Sequence, residues 1–401
     1  METTLLERVS GYAMISDELV RDMRLWRHEF HSHPETAFEE HRTARRIAEL
    51  LHSFGLQVTT GIGGTGVVGT LRAGKSSRAI GLRADMDALH LHEHSDLPYR
   101  STRDGRMHAC GHDGHCAMLL GAARHLAASK DFDGVVQFIF QPAEENEGGG
   151  QEMIEDGLFE RFPVDAVFGM HNWPGLPLGQ MAMHPGPMLL AFDLFEIRLR
   201  GKGGHAAMPN RAQDVIVAQS QLVAALQTIV SRNLDPLEPA VVSVTQVEAG
   251  STWNIIPETA VLRGTTRYVN PETQQMLESQ MRRIVEHVSQ AMDVTADLDY
   301  WYRYPATINS ERETALAQRV ASELLGADQV RTDMRPSMAS EDFAYMLQAR
   351  PGCYVWLGVD GAEPGPGLHS AHFDFNDQAL AYGAAYWVRL AQTALAKQTT
   401  A

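Results

Sequence analysis

The chain has 401 residues, 44% of them apolar and 21% charged, the make-up of an ordinary soluble globular protein with room for two separately cored domains. Its 34 Lys and Arg against 50 Asp and Glu give a formal net charge of −16, which argues against nucleic acid or an anionic membrane as the main partner. Three cysteines, Cys110, Cys116 and Cys353, are too few and scattered for a disulfide framework; they fit a reducing cytoplasm and leave a thiol free for metal.

The first sixteen residues lack a basic stretch followed by an apolar one, so no signal peptide is expected. No apolar run approaches the length that crosses a bilayer. Helices are expected over Ser16–Phe30 and Glu39–Phe54. In the second, Ala44, Ile47, Ala48, Leu51 and Phe54 form an apolar stripe that Gly55 ends. Strand-like runs follow at Leu56–Thr60, Val67–Arg72 and Ala79–Ala84, then a helix over His115–Ala128. Val135–Phe140 and Ala166–Met170 are nearly continuous apolar runs, as in strands covered on both faces. Up to about Met183 the pattern is that of an α/β sheet sandwiched by helices.

The middle of the chain reads differently. Phe195, Ile197 and Leu199 alternate with Glu196, Arg198 and Arg200, which predicts a half-buried strand. A helix at Ala212–Val230, strands at Ala240–Val247 and Thr259–Tyr268, a helix at Pro271–Met292 and a strand at Val294–Tyr302 complete a β-α-β-β-α-β order, the ferredoxin-like arrangement. Pro185, Gly186 and Pro187 punctuate its start and Pro305 its end. The α/β pattern then returns: a helix at Glu311–Leu325, a strand at Tyr354–Leu357 and a helix from Asp377 to about Ala396. A small domain, 188–304, is therefore expected inside a larger one made of 1–187 and 305–401.

The chemistry concentrates in the run Met107 to His115, which holds Cys110, His108, His112, His115 and Asp113. A Cys-x-His pair facing one way can put a thiolate and an imidazole on one metal. Asp85 and Asp87 follow one predicted strand, Glu144 and Glu145 a second, and His171 a third. Carboxyl ends of strands in open α/β sheets are where loops converge and sites collect. Taken singly, each is better read as a turn or surface group; five at successive strand ends point to a site. Neighbouring side chains usually point apart, so of Glu144 and Glu145 one can bind metal while the other reaches its water. His205, in the glycine-rich loop Gly201 to Pro209, reads on its own as a loop histidine at a tight turn. His108, His115, His184 and His372 read as structural or surface histidines, and Asp113 as a helix-start carboxylate or a group behind the ligands.

These motifs resemble the zinc-peptidase-like amidohydrolases that include hippurate hydrolase, N-acyl-L-amino acid amidohydrolases and the plant auxin-conjugate hydrolases. The likeness runs from His31-Ser32-His33-Pro34-Glu35 to Phe373-Asp374-Phe375-Asn376-Asp377. It includes Gly81 to Leu89, Gln141-Pro142-Ala143-Glu144-Glu145, Gly169-Met170-His171, Ser340-Glu341-Asp342-Phe343 and Leu368-His369. It implies a mixed-sheet α/β catalytic domain with an inserted ferredoxin-like lid or dimerisation domain, in a homodimer formed through the insert. It further implies two divalent metal ions per subunit, Zn²⁺, Mn²⁺, Co²⁺ or Ni²⁺, held by Cys110, His112, Glu145, His171 and His369, with Cys110 bridging. Glu144 would be the general base. Asp85 and Asp87 would stand behind the ligands and orient imidazoles. His205, which in several relatives comes from the partner subunit, would contact the scissile carbonyl oxygen, and Asn254 and Arg267 the substrate carboxylate.

The reaction so implied is hydrolysis of an N-acyl amino acid to a carboxylic acid and a free amino acid. A water shared by the metals, its pKa lowered toward about 7, attacks as hydroxide while Glu144 moves its proton. Arg267 would grip the carboxylate in a bidentate fork, and Met188 to Phe192 would border the acyl pocket or serve as linker packing. Asn210, the Ala88 to Glu93 run and Ser370-Ala371-His372 depart from the pattern at the pocket rim, where substrate preference is set. A dipeptidase or carboxypeptidase of the same superfamily, a thiol enzyme with Cys110 as nucleophile, and a non-catalytic binding protein are the competing readings.

Overall fold

The computed structural model describes residues 15–397 except 146, 362 and 364, and these form two compact units. The first runs up to Met188 and resumes over Thr307–Arg335 and from Asp342; the second is Leu189–Ala306 together with Pro336–Glu341. The short 336–341 stretch joins the insert because Leu190 N donates to the carbonyls of Ser337 and Ala339, both at 3.1 Å.

Among the described residues, eight strands of the first unit form one mixed sheet. Their order is Gln57–Ile62, Gly66–Ala73, Gly134–Gln141, Ala79–Asp85, Ala166–Pro177, Gly352–Asp360, Met181–Ala182 and Val330–Arg331. The four central strands run parallel, so their carboxyl ends point one way. Three of them, Gly134–Gln141, Ala79–Asp85 and Gly352–Asp360, are buried over nearly their whole length, as their continuous apolar sequences require of strands covered on both faces. Helices Asp17–His31, His112–Ser129, Glu311–Leu325 and Ala379–Ala394 cover the sheet and close a core that includes Phe30, Leu119, Phe138, Val355 and Trp387.

The second unit is a four-stranded antiparallel sheet, ordered Val241–Ala249, Thr259–Tyr268, Ala191–Arg200, Thr295–Tyr302. Helices Val215–Thr228 and Pro271–Ala291 complete the ferredoxin-like arrangement. Phe195, Ile197 and Leu199 point into its core with Leu222, Leu226, Leu277 and Met281, the face that the alternating sequence assigns to them.

Helix Asp17–His31 also carries a buried polar cluster. Arg27 donates through Nε to Asp113 (2.9 Å), through Nη1 to Asp377 (3.1 Å) and through Nη2 to Asp374. His31 Nδ1 lies 2.9 Å from Asp113 and Nε2 3.4 Å from Glu93. Burial disfavours the charged imidazole, but its bonds to Asp113 and Glu93 outweigh that and push the pKa of His31 up to about 9. In an unfolded chain it is about 6.5. Protonated His31 thus adds stability that is fully present below about pH 6.5 and is lost as pH rises through about 9. Urea denaturation midpoints should fall between pH 7 and 9.5, with a smaller fall in His31→Asn; equal slopes would refute this account.

Candidate metal centre

Helix His112–Ser129 starts three residues earlier than its apolar pattern predicts, directly at the Cys-x-His pair. Gly111 makes this possible. Its φ is +95°, and an added Cβ would lie 2.2 Å from Asn172 Oδ1, so only glycine permits both the left-handed turn and the close approach of Asn172. The early start also puts His112 and His115 on one face, at i and i+3 of the first turn.

The donors converge from different elements. Cys110 precedes the helix, and its Sγ lies 3.3 Å from Nε2 of His171, which sits in the strand Ala166–Pro177. His171 Nδ1 is 2.6 Å from the carbonyl of Asn172 and donates to it, which leaves Nε2 as a lone-pair donor on the cysteine side. His112 is oriented in the same way. Its Nδ1 donates toward the Asp87 carbonyl (2.9 Å) and Oδ1 (3.2 Å), while its buried Nε2 has no hydrogen-bond partner. Nε2 is 3.7 Å from Asp85 Oδ2, too far for a bond. Glu145 Oε1 is 3.2 Å from His369 Nε2. His369 is exposed, with a left-handed φ of +61°, and its backbone N–H is anchored on the Ala109 carbonyl at 2.8 Å.

Cys110, His112 and His171 place one ligand atom each within 4.8 Å of one another, as do Cys110, Glu145 and His369, and also His112, Glu144 and Glu145. Cys110, His112, Glu144 and His171 are buried. Asp87 fastens two of these groups together, since its Oδ2 accepts the Glu145 backbone N–H at 2.9 Å. Asp85 is held by Arg83 Nη1 at 2.6 Å and by His115 Nδ1 at 2.6 Å.

Of the two readings of His115, structural or surface, the structural one fits: Nδ1 meets Asp85 and Nε2 lies 2.6 Å from Asn172 Oδ1. The residue is buried, belongs to a further donor group with Asp85 and His112, and its ring centre is 4.6 Å from that of His171. The signal that could have found it is the i, i+3 spacing from His112, hidden by a helix start placed too late. Asp113 faces away, toward Arg27 and His31.

Negative charge is concentrated here. Four carboxylates, Asp85, Asp87, Glu144 and Glu145, gather in one donor region with Arg83 as the buried cation bonded among them. Burial opposes charge on His112, yet Asp85, Asp87 and Glu145 push its pKa up to about 10. Burial and the same carboxylate crowd raise the Cys110 thiol well above its usual range. Burial, with His115 beside it, holds His171 neutral, far below the usual imidazole value. A neutral imidazole, a buried imidazole nitrogen with no protein partner, whose proton a metal would displace, and a thiol that needs a cation to ionise fit a divalent metal.

The other expected site residues lie in the second unit. His205 and Asn254 are brought together there: His205 pairs with Ile255 in a two-stranded ribbon, and Ala206 N donates to the Asn254 carbonyl at 3.0 Å. Arg267 lies on the strand Thr259–Tyr268. Its Nε donates to the Met338 carbonyl and its Nη1 to Thr265 Oγ1 and the Thr266 carbonyl. That takes one donor from each of the two pairs, Nε/Nη2 and Nη1/Nη2, that could form a bidentate fork, and leaves Nη2.

Residues 81–393 match the model of Peptidase family M20/M25/M40, and the chain belongs to that family. It is 43% identical to hippurate hydrolase of Campylobacter jejuni over 365 residues, 91% of this chain and 94% of that one. It is 37% identical to N-acetylcysteine deacetylase of Bacillus subtilis over 367 residues, again 91% and 94%. The crystal structure of a Bacillus subtilis protein, described as a dinuclear metal binding peptidase from the M20 family, matches with a TM-score of 0.82 at 33% identity, covering 95% of this chain and 99% of that one.

Asp87 offers the sharpest test of how the donors are held. In Asp87→Asn, one oxygen must serve both the His112 N–H and the Glu145 N–H, and an NH₂ group opposes one of them. Divalent-metal affinity, measured by competition with a chelator, should drop by roughly 10–100-fold; unchanged affinity would show that Asp87 does not orient the donors.

Proposed function

We propose that the protein is a metal-dependent amidohydrolase that cleaves N-acyl amino acids into a carboxylic acid and a free amino acid. Two divalent ions are held by Cys110, His112, Glu145, His171 and His369, with Zn²⁺, Mn²⁺, Co²⁺ or Ni²⁺ suiting these donors. Cys110 would be a ligand to either ion, since it belongs to one donor group with His112 and His171 and to another with Glu145 and His369. When bound, such ions polarise a carbonyl and acidify a water.

The observation that carries the reading is Glu144, a buried carboxylate within ligand distance of His112 and Glu145 yet additional to the five ligands. A binding protein has no use for it. A hydrolase uses its carboxylate to take a proton from water and return it to the leaving amine. The thiol-enzyme alternative is disfavoured by Cys110, whose ionisation burial and neighbouring carboxylates oppose. The substrate class rests on the names of the relatives, hippurate hydrolase and N-acetylcysteine deacetylase.

For the second unit, the roles proposed are His205 as donor to the scissile carbonyl oxygen and Asn254 and Arg267 as contacts for the substrate carboxylate, Arg267 through Nη2. The inserted unit is also proposed as lid and homodimer interface, a role its exposed Ile216, Val217 and Val247 favour. A cytoplasmic location is supported by three unpaired cysteines. Among the described residues no helix is long and apolar enough to cross a membrane.

Benzoyl, acetyl and longer acyl derivatives of several amino acids, assayed with and without Mn²⁺ or Zn²⁺, test the reading. Activity should vanish with chelator and return with metal. Release from none of these substrates, or activity that survives chelation and dies only on alkylation, would overturn it. Glu144→Gln should bind metal normally while kcat falls by about 10²–10⁴-fold; comparable loss of metal would instead make Glu144 a ligand.

A further inference from the structure

Strand Ala79–Asp85 delivers Asp85 to the donor region at its carboxyl end. At its other end lies a cavity of about 630 Å³, lined by Ile80, roughly 16 Å along the strand from Asp85. A volume of this order suits a small organic ligand. The apolar part of the lining comes from Ile80 and Phe168 of two parallel strands, Leu316 of helix Glu311–Leu325, and Leu395 just beyond the last helix.

Helix Glu311–Leu325 supplies free charge. At about 100° per residue, Arg312, Leu316 and Arg319 share one face, and Glu313 lies beside them on the side that meets the core. All four line the cavity. The two arginines are exposed, whereas Glu313 is only 8% exposed. Ser310 to Glu313 spells Ser-x-x-Glu, a pattern in which the glutamate ordinarily bonds back to the serine N–H at the head of the helix. Here that N–H donates to the Gly352 carbonyl at 2.9 Å, and Ser310 Oγ accepts the Gly352 N–H at 3.2 Å. The helix therefore starts without a side-chain cap. Among the described residues, the side chains of Glu313, Arg312 and Arg319 have no hydrogen-bond or ion-pair partner. The other charged groups of the cavity are committed. Arg78 donates to the carbonyls of Ala394 (3.2 Å) and Ala396 (2.6 Å), and Asp165 Oδ2 accepts the Ala79 N–H at 2.8 Å.

A buried carboxylate without a partner is costly, and a ligand ammonium would offset that cost. Two unpaired guanidiniums on the same wall suit a carboxylate. We propose that this cavity is a second binding site, remote from the donor groups around Cys110, for a free α-amino acid with an apolar side chain. Glu313 takes its ammonium, Arg312 and Arg319 its carboxylate, and the apolar lining its side chain. An amino acid is also what the proposed hydrolysis releases, but the site does not depend on that reaction.

Equilibrium dialysis of the metal-loaded protein with labelled L-leucine, L-valine or L-phenylalanine tests this. Wild type should take up one more amino acid per chain than Arg312→Ala/Arg319→Ala. Glu313→Gln should weaken that molecule by about 10-fold or more, the loss of one charged hydrogen bond. L-Leucinamide, which lacks the carboxylate, and 4-methylpentanoate, which lacks the ammonium, should fail to displace it where unlabelled L-leucine succeeds. Circular dichroism spectra matching wild type verify that the variants fold. Amino acid held at the catalytic centre is common to wild type and variants and cancels in the comparison, whether or not the protein hydrolyses any substrate. Equal uptake of all three amino acids by wild type and the double variant, unchanged affinity in Glu313→Gln, or displacement by 4-methylpentanoate as effective as by leucine would overturn the proposal.

Discussion

Buried negative charge is the constraint around which the first unit is organised. Ionised carboxylates taken out of water are costly unless paired, and this fold takes several out together. Asp85 is entirely buried yet held well below the usual carboxylate range, because Arg83, His112 and His115 outweigh its desolvation. Arg83 is itself buried and spends its donors on Asp85, Gln141 and Asp342. That network is largely complete within the protein. The layer above it is not. Glu145 has His369 near one oxygen, His112 keeps a bare Nε2, and the Cys110 thiol is suppressed by the carboxylates beside it. The arrangement thus divides into a satisfied foundation of Arg83, Asp85, Gln141 and Asp342 and an unsatisfied face that divalent ions complete.

This division explains which parts of the molecule were legible in the sequence. Continuous apolar runs mark Ala79–Asp85, Gly134–Gln141 and the start of Ala166–Pro177, and alternation marks Ala191–Arg200, because each reports how many faces of a strand are covered. The candidate ligands at the ends of those strands could be placed from the strands themselves. His369 could not. It lies in a turn with a left-handed φ, and periodicity says nothing about such a segment. Met181–Ala182 and Val330–Arg331 are too short to show any period, and Pro336–Glu341 joins the second unit through backbone pairing that no local pattern encodes. Whether His115 is buried or on the surface was hidden for a different reason: an unusual helix start at Gly111, with no side-chain cap, obscured the face it shares with His112.

The same logic accounts for how the proposed base is held apart from its neighbouring ligand. Glu144 and Glu145 are adjacent, and side chains on regular extended backbone would simply alternate across a sheet. Here the chain leaves the strand at Gln141 and turns through Ala143, whose φ is +52°, a conformation that costs a non-glycine residue about 1 kcal/mol or more. Two bonds hold it, one long-range and one local. The Ala143 N–H donates to Glu40 Oε1 at 2.9 Å, and its carbonyl accepts from Gly149 at 3.0 Å. Glu40 is fully buried at the head of helix His41–Ser53 and receives Thr65 Oγ1 at 2.6 Å. Burial, with Asp87 nearby, lifts its carboxyl to about 7 against the Thr65 bond. One more carboxylate is therefore kept in an unfavourable setting so that the turn before Glu144 stays bent. Beyond that turn, Asp87 catches the Glu145 amide. Between these two anchors the Glu144–Glu145 pair has little freedom, which is what a division of labour between proton carrier and ligand requires of consecutive residues.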